Sequence, residues 1–309
     1  MYSAMGMIES TGAYPEQIRR IAEALKRADA VLIGAGAGLS TSAGFSYSGE
    51  RFRKYFADFI DKYHFTDIFT GGFYPFQTKE EYWAYFSRHV WINRYMDPPL
   101  PVYPELLELL RGSRYFVLTT NTDHCFLNAG FDADRVFYTQ GDLGLFQCSV
   151  PCCTKTFDNR ETIRKMVEEQ KDMRIPSELL PVCPECGRPL RMHLRNDHKF
   201  VEGSEWHRMA ARYEAFLRRH EGDRLLLLEL GVGYNTPGII KFPFWRMTNS
   251  HPEWIYANIN TEEAVCPEQI GDRAILINHD IGGAIGDIRT ALDDDGTDFT
   301  GDNTEGRTK

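Results

Sequence analysis

The apolar run Val31-Leu32-Ile33 passes without a break into Gly34, Gly36 and Gly38, and then into the hydroxyl-rich segment Ser40-Thr41-Ser42. Such a run reads as a buried strand, and the alternating glycines end it in a tight loop. Residues without Cβ give access to positive φ and let a ligand approach the main chain. Backbone N–H groups exposed in this way suit a phosphate, and so a dinucleotide. The spacing is not that of the G-x-G-x-x-G fingerprint, so a plain strand-closing turn stays open on this motif alone.

The flanking pattern extends the reading. Ile18, Ile21, Ala22 and Leu25 recur at helical spacing, which predicts an amphipathic helix from Pro15 to Ala28 leading into the strand. Five further apolar runs, Tyr115–Leu118, Val136–Tyr138, Leu225–Leu230, Trp254–Ile259 and Ala274–Ile277, end in polar or glycine-rich residues. In an open α/β sheet, ligands bind at those carboxyl ends. The predicted fold class is therefore α/β, a Rossmann-like parallel sheet with helices on both faces, built from residues 1–49, 103–142 and 203–292. Residues 50–102 form a helical insertion whose aromatic stripe, from Phe52 through Trp83 to Tyr95, reads as core rather than as a cofactor box. Residues 143–202 form a small cysteine-bearing module with a charged helix at roughly Asn159–Lys171. Helices are expected at Ser204–His220 and Ile281–Leu292, with Asn235 and Thr236 placed to cap the helix after Leu230. Residues 293–309 read as a disordered acidic tail.

A net charge of −9 over 309 residues argues against a nucleic-acid surface, with a local basic groove left open. No apolar stretch approaches the ~20 residues of a membrane span, and the first residues lack the order of a signal peptide, so a cytoplasmic location is expected. Seven cysteines in such a chain favour metal or free thiols over disulfides. Cys183-Pro-Glu-Cys186-Gly is a zinc-knuckle turn. Cys148 and Cys152 supply the second pair, with Cys153 as an alternative to Cys152. Four thiolates leave no site for water, so such a zinc is structural.

The order of strand ends, with the cysteine pairs between them, resembles the sirtuin family over roughly Ala30 to Ile288. Gly36-Ala37-Gly38-Leu39-Ser40-Thr41-Ser42-Ala43-Gly44 is similar to the family's GAG-x-S-x-S-x-G loop, which implies that Gly36, Ala37, Gly38 and Ser40 contact the pyrophosphate and nicotinamide ribose of NAD. Thr119-Thr120-Asn121-Thr122-Asp123 resembles TQNID. That implies Asp123 on the nicotinamide carboxamide and Asn121 positioning the ribose or an attacking group. By the same resemblance Gly231, Val232 and Gly233 meet phosphate, Asn258 and Asn260 lie at the adenosine ribose, and Ile281 joins the cofactor site.

Three departures stand beside these matches. Gln140-Gly141 replaces the His-Gly pair whose imidazole is the general base of a deacylating sirtuin, and an amide accepts no proton near neutral pH. Ser46-Tyr47-Ser48-Gly49 replaces Pro-Asp-Phe-Arg. The peptide-holding strand after the second cysteine pair is replaced by the hydrophilic stretch Met192–Asp197, so base and peptide clamp are both expected to be missing. Together these resemble the macrodomain-linked class M sirtuins. The implied activity is NAD-dependent mono-ADP-ribosylation of a protein with release of nicotinamide, often of a lipoylated glycine-cleavage-H-like carrier, with a macrodomain hydrolase as partner. In this reading Gln140 hydrogen-bonds the ribose hydroxyls. A deacylase with an atypical site and a non-catalytic NAD sensor are the alternatives. His124 is expected to be structural, and Cys125 and Cys266 to be packing residues.

Overall fold

The computed structural model describes residues 6–9 and 12–294. Eleven strands occur among them: β1 (Met7–Glu9), β2 (Ala30–Ala35), β3 (Tyr115–Thr119), β4 (Val136–Tyr138), β5 (Gly141–Cys148), β6 (Thr156–Asp158), β7 (Leu190–Leu194), β8 (Leu225–Leu230), β9 (Ile255–Asn260), β10 (Val265–Pro267) and β11 (Ala274–Asn278). Six form one parallel sheet in the order β11-β9-β8-β2-β3-β4. Alternation along β2 shows why both faces are covered. Val31, Ile33 and Ala35 pack with Ile18, Tyr103, Leu106 and Ile285 on one side. Ala30 and Leu32 pack with Met209, Phe244 and Trp245 on the other. Helices Tyr14–Arg27, Val102–Leu109 and Ile281–Asp294 serve the first layer, and Ser204–Arg219 and Lys241–Ser250 the second.

The central strand β8 carries one charge among its leucines. The Glu229 carboxylate accepts from Lys241 Nζ at 2.5 Å and from the Tyr256 hydroxyl at 2.9 Å, with both members of the ion pair fully buried. A buried pair adds little net stability, but removing one partner strands the other, so the pair fixes how the helix beginning at Lys241 seats on the sheet. That helix starts later than its sequence signal. Its N-cap is Ile240 with no side-chain cap, so Asn235 and Thr236 do not cap it; they turn into the cavity described below.

Helices Gly49–Tyr63, Ile68–Gly72 and Lys79–Val90 follow the first loop, and the last runs into a π-helical turn at Trp91–Tyr95. Phe52, Phe56, Phe59, Trp83 and Tyr85 are buried together, as the aromatic stripe predicted. The same core takes in Leu143, Phe146, Met166, Leu190 and Met192, so this segment and the cysteine-bearing one share an interior. The latter contains the helix Arg160–Glu169 and an antiparallel sheet in the order β6-β5-β7. The expected loss of a strand at Met192–Asp197 is overturned. Leu190–Leu194 is an edge strand paired with β5, because Leu190, Met192 and Leu194 alternate with the polar residues that masked the pattern. The terminal helix continues to Asp294, and the acidic tail from residue 295 onward lies outside the described residues.

Candidate active site

Loops at the carboxyl ends of β2, β3, β8 and β9 open into a cavity of about 760 Å³, within the size range of small-molecule sites. It lies where the chain order reverses, between β2 and β8, the crevice that open α/β sheets use for ligands. Gly36, Ala37, Gly38, Gly231, Val232 and Gly233 all line it. The glycines serve a different purpose from the one their pattern suggests. Gly34, Gly36 and Gly38 do not adopt positive φ. The N–H groups of Gly36 and Gly38 are donated to the carbonyls of Leu230 and Gly231, each at 3.0 Å, and so are not free for a phosphate. A Cβ on Gly36 would stand 2.6 Å from the Gly231 carbonyl oxygen, and one on Gly38 2.7 Å from Gly231 Cα. The two loops therefore pack backbone against backbone, and the absence of side chains there brings the two strand ends together.

The loop after β3 supplies the polar wall. Asn121 Nδ2 donates to the Gly36 carbonyl at 3.0 Å and to the Ser40 hydroxyl at 3.1 Å. Ser40 donates to Asp123 Oδ2 at 2.5 Å and lies 2.7 Å from the Tyr103 hydroxyl. Asp123 Oδ1 accepts the Cys125 N–H at 3.0 Å, so this residue caps the next turn as well as facing the cavity. Burial raises the Asp123 pKa, against the lowering effect of these donors. Gln140 reaches the same cavity from the turn before Gly141, where φ is +97° and a Cβ would collide with the His193 carbonyl oxygen at 2.0 Å.

Three expected cofactor contacts are located elsewhere. Ser40 is fully buried behind the wall, its hydroxyl held by Asp123 and Tyr103. Asn258 points to the same face as Asn260 but sits two residues short of the strand end. It is fully buried, and its amide atoms find no hydrogen-bond partner among the described residues. Ile281 packs into the core with Ala284 and Ile285. Asn260, by contrast, lines the cavity, as do Asn121, Asp123 and Gln140. His124 is engaged with the Asp142 carboxylate at 2.7 Å, and Arg94 holds the other oxygen at 2.7 Å. Burial pushes the Asp142 pKa up, but these two partners outweigh it and hold the carboxyl down at about 2.

The far half of the cavity went unrecognised in the sequence. Tyr47, Ile68, Phe69, Tyr82, Phe86 and His89 face Leu143, Met192 and Leu194 across it, with Arg191 and Arg195 beside them. Tyr47 lies in the segment that departs from the sirtuin pattern, which was the one available signal. Tyr82 and Phe86 belong to the aromatic stripe, so part of that stripe is both core and cavity wall.

The sulfurs of Cys148, Cys152, Cys183 and Cys186 lie within 4.8 Å of one another, and Cys153 is outside the group. Cys148–Cys186 and Cys152–Cys183 are 3.6 and 3.7 Å apart. Tetrahedral zinc with Zn–S of ~2.3 Å requires sulfurs about 3.8 Å apart, so the cluster fits zinc.

No family model matches the chain. Among curated proteins it is 41% identical over 310 residues to a protein ADP-ribosyltransferase of Staphylococcus aureus (strain Mu50 / ATCC 700699), covering 100% of this chain and 96% of that protein. The chain belongs to the protein ADP-ribosyltransferases. A probable bifunctional ADP-ribose hydrolase/ADP-ribosyltransferase of Fusarium oxysporum f. sp. cubense is 33% identical over 245 residues, which cover 72% of this chain and 38% of that protein. The fold of this ADP-ribosyltransferase is that of the sirtuins. Sir2Tm bound to a propionylated peptide superposes with a TM-score of 0.56 at 18% identity, covering 90% of this chain and 98% of that one. A Sir2 structure on mechanism and regulation gives 0.55 at 16%, covering 91% and 99%.

Proposed function

We propose that the chain transfers a single ADP-ribose from NAD to a protein side chain and releases nicotinamide. The observation that carries this reading is Gln140 on the cavity wall, an amide where a deacylase presents an imidazole base. Asp123 receives the nicotinamide carboxamide, Asn121 and Gln140 orient the ribose, and Asn235, Thr236 and Asn260, beside the packed glycine loops, accept the pyrophosphate and adenosine end. The donor set supports a dinucleotide, since amides and hydroxyls line the strand-end half of the cavity, while the second half is mainly aromatic with His89, Arg191 and Arg195 among it. NAD supplies the ribosyl group. The protein orients it and leaves the C1′ carbon to an outside nucleophile. Cys148, Cys152, Cys183 and Cys186 hold a structural zinc.

The acceptor is a lipoylated carrier of the glycine-cleavage-H type, whose long apolar arm suits the aromatic half of the cavity. The two activities joined in the name of the fungal relative favour a macrodomain hydrolase that reverses the mark. Incubation with NAD labelled in its ADP-ribose moiety, with lipoylated and unlipoylated carrier, tests this. Label should move to the lipoylated carrier, and Asn121→Ala and Gln140→Ala should slow transfer by about 100-fold while NAD binding falls far less. Appearance of acyl-ADP-ribose from an acylated peptide instead would favour a deacylase, and NAD bound without nicotinamide release would favour a sensor.

A further inference from the structure

Transfer of ADP-ribose to an O–H or N–H acceptor leaves a proton to be accommodated, and Gln140 cannot take it. The cavity wall contains few alternatives. Both Asp123 oxygens already accept hydrogen bonds. Glu262 and Glu263 follow β9 at the end beside Val232 and Asn260, away from the aromatic half. Burial raises the pKa values of Tyr47 and Tyr82, which stay protonated at neutral pH. Arg191 and Arg195 are cations. His89 is the remaining candidate among the described lining residues.

His89 stands on the cavity wall at the end of the helix Lys79–Val90, and its Nδ1 is buried with no hydrogen-bond partner among the described residues. Its backbone is fixed. The His89 carbonyl accepts Asn93 Nδ2 at 3.0 Å, and Asn93 Oδ1 accepts Arg51 Nη1 at 2.9 Å. After Val90 the chain forms the π-helical turn Trp91–Tyr95, a distortion common at functional sites.

We propose that His89 is the proton acceptor of the transfer reaction. The acceptor's oxygen or nitrogen forms the bond to ribose C1′, and the C1′–N bond to nicotinamide breaks with its electron pair passing to the pyridine nitrogen. The acceptor's proton passes to an imidazole nitrogen of His89 and from there to solvent. The electrostatic setting keeps the ring neutral and available. Burial, with the Arg51 guanidinium nearby, lowers its pKa to about 4. Arg191 and Arg195 on and just after β7 add positive charge to the same cavity, with Tyr47 neutral and Asp123 the opposing carboxylate. The imidazole is thus unprotonated above about pH 4 and free to accept a proton at neutral pH.

This inference rests on the transferase reading, and the test separates the two. Wild type, His89→Gln and His89→Ala are compared for NAD binding, for hydrolysis of NAD alone, where water is the acceptor, and for labelling of the lipoylated carrier. Both variants should bind NAD as wild type does and lose about 100-fold in hydrolysis and transfer. Added imidazole should restore His89→Ala but not Gln140→Ala. Active wild type with an equally active His89→Gln overturns the role of His89, as does a failure of imidazole to rescue His89→Ala. Wild type that neither hydrolyses NAD nor labels carrier overturns the transferase reading itself.

Discussion

The two halves of the cavity are built by opposite means. The strand-end half is made of backbone. Gly36, Gly38 and Gly231 bring two loops into main-chain contact on a rigid parallel sheet, and short amides decorate the rim. The opposite half is made of large side chains carried on helices and an edge strand that share one interior with the cysteine cluster. Close packing at the first is intolerant of added atoms, whereas at the second it depends on elements that must be held in place from behind. On the proposed reading, the first arrangement serves the cofactor and the second the protein acceptor.

The contrast is most severely tested by removing the metal. Cys148 and Cys183 are buried in the interior that also packs Met192, so chelation or Cys183→Ser should release β7 and abolish transfer, leaving the parallel sheet folded. Hydrogen exchange would read this as lost protection confined to residues 141–194, and global unfolding would show that the halves are not separable. Next in size is Asp142→Asn, which strands Arg94 and His124 and should cost about 3–5 kcal/mol in denaturant titration. The pH dependence has a definite sign. The folded pKa of Asp142 is depressed to about 2, so its contribution is complete above the unfolded value near 3.9 and is lost as pH falls through about 2. Gly38→Ala should come third, at about 1–3 kcal/mol. Its Cβ meets backbone that cannot rotate away, and NAD affinity measured by calorimetry should fall with the stability. The smallest effect belongs to Phe73→Ser at the mouth of the aromatic half. With 82% of Phe73 exposed, stability should change by less than about 0.5 kcal/mol, and a raised KM for the protein acceptor without a change for NAD would assign the mouth to acceptor contact.

The same division explains what could be read from the chain. The parallel strands and the polar residues at their ends were legible because apolar runs and their terminators are local signals: β4 ends at Tyr138 as predicted, and Asn121, Asp123 and Gln140 do converge. The glycine loop was found for a reason that the structure revises, since whether a missing Cβ admits a ligand or a second loop depends on β8, nearly two hundred residues away. Asn258 shows the limit of a motif read at single-residue grain, because two positions along a strand separate a lining amide from a buried one. Strand β7 carried an alternation that was present and missed. The aromatic half was beyond reach for a different reason: Tyr47, Phe86 and Met192 acquire a common surface only through tertiary packing of segments that carry no shared pattern.

The Asp142 carboxylate, on β5, ties Arg94 of the π-helical turn to His124 in the loop after β3. It is one rivet of this joint, beside the Leu143 N–H that donates to the Thr122 carbonyl at 2.9 Å. A segment replacing residues 50–95 would have to bring both its own arginine to this joint and side chains that repack against Leu143, Phe146 and Met192. Grafting experiments that move residues 50–95 without regard to Arg94 would therefore fail at the joint, long before the choice of acceptor is put to the test.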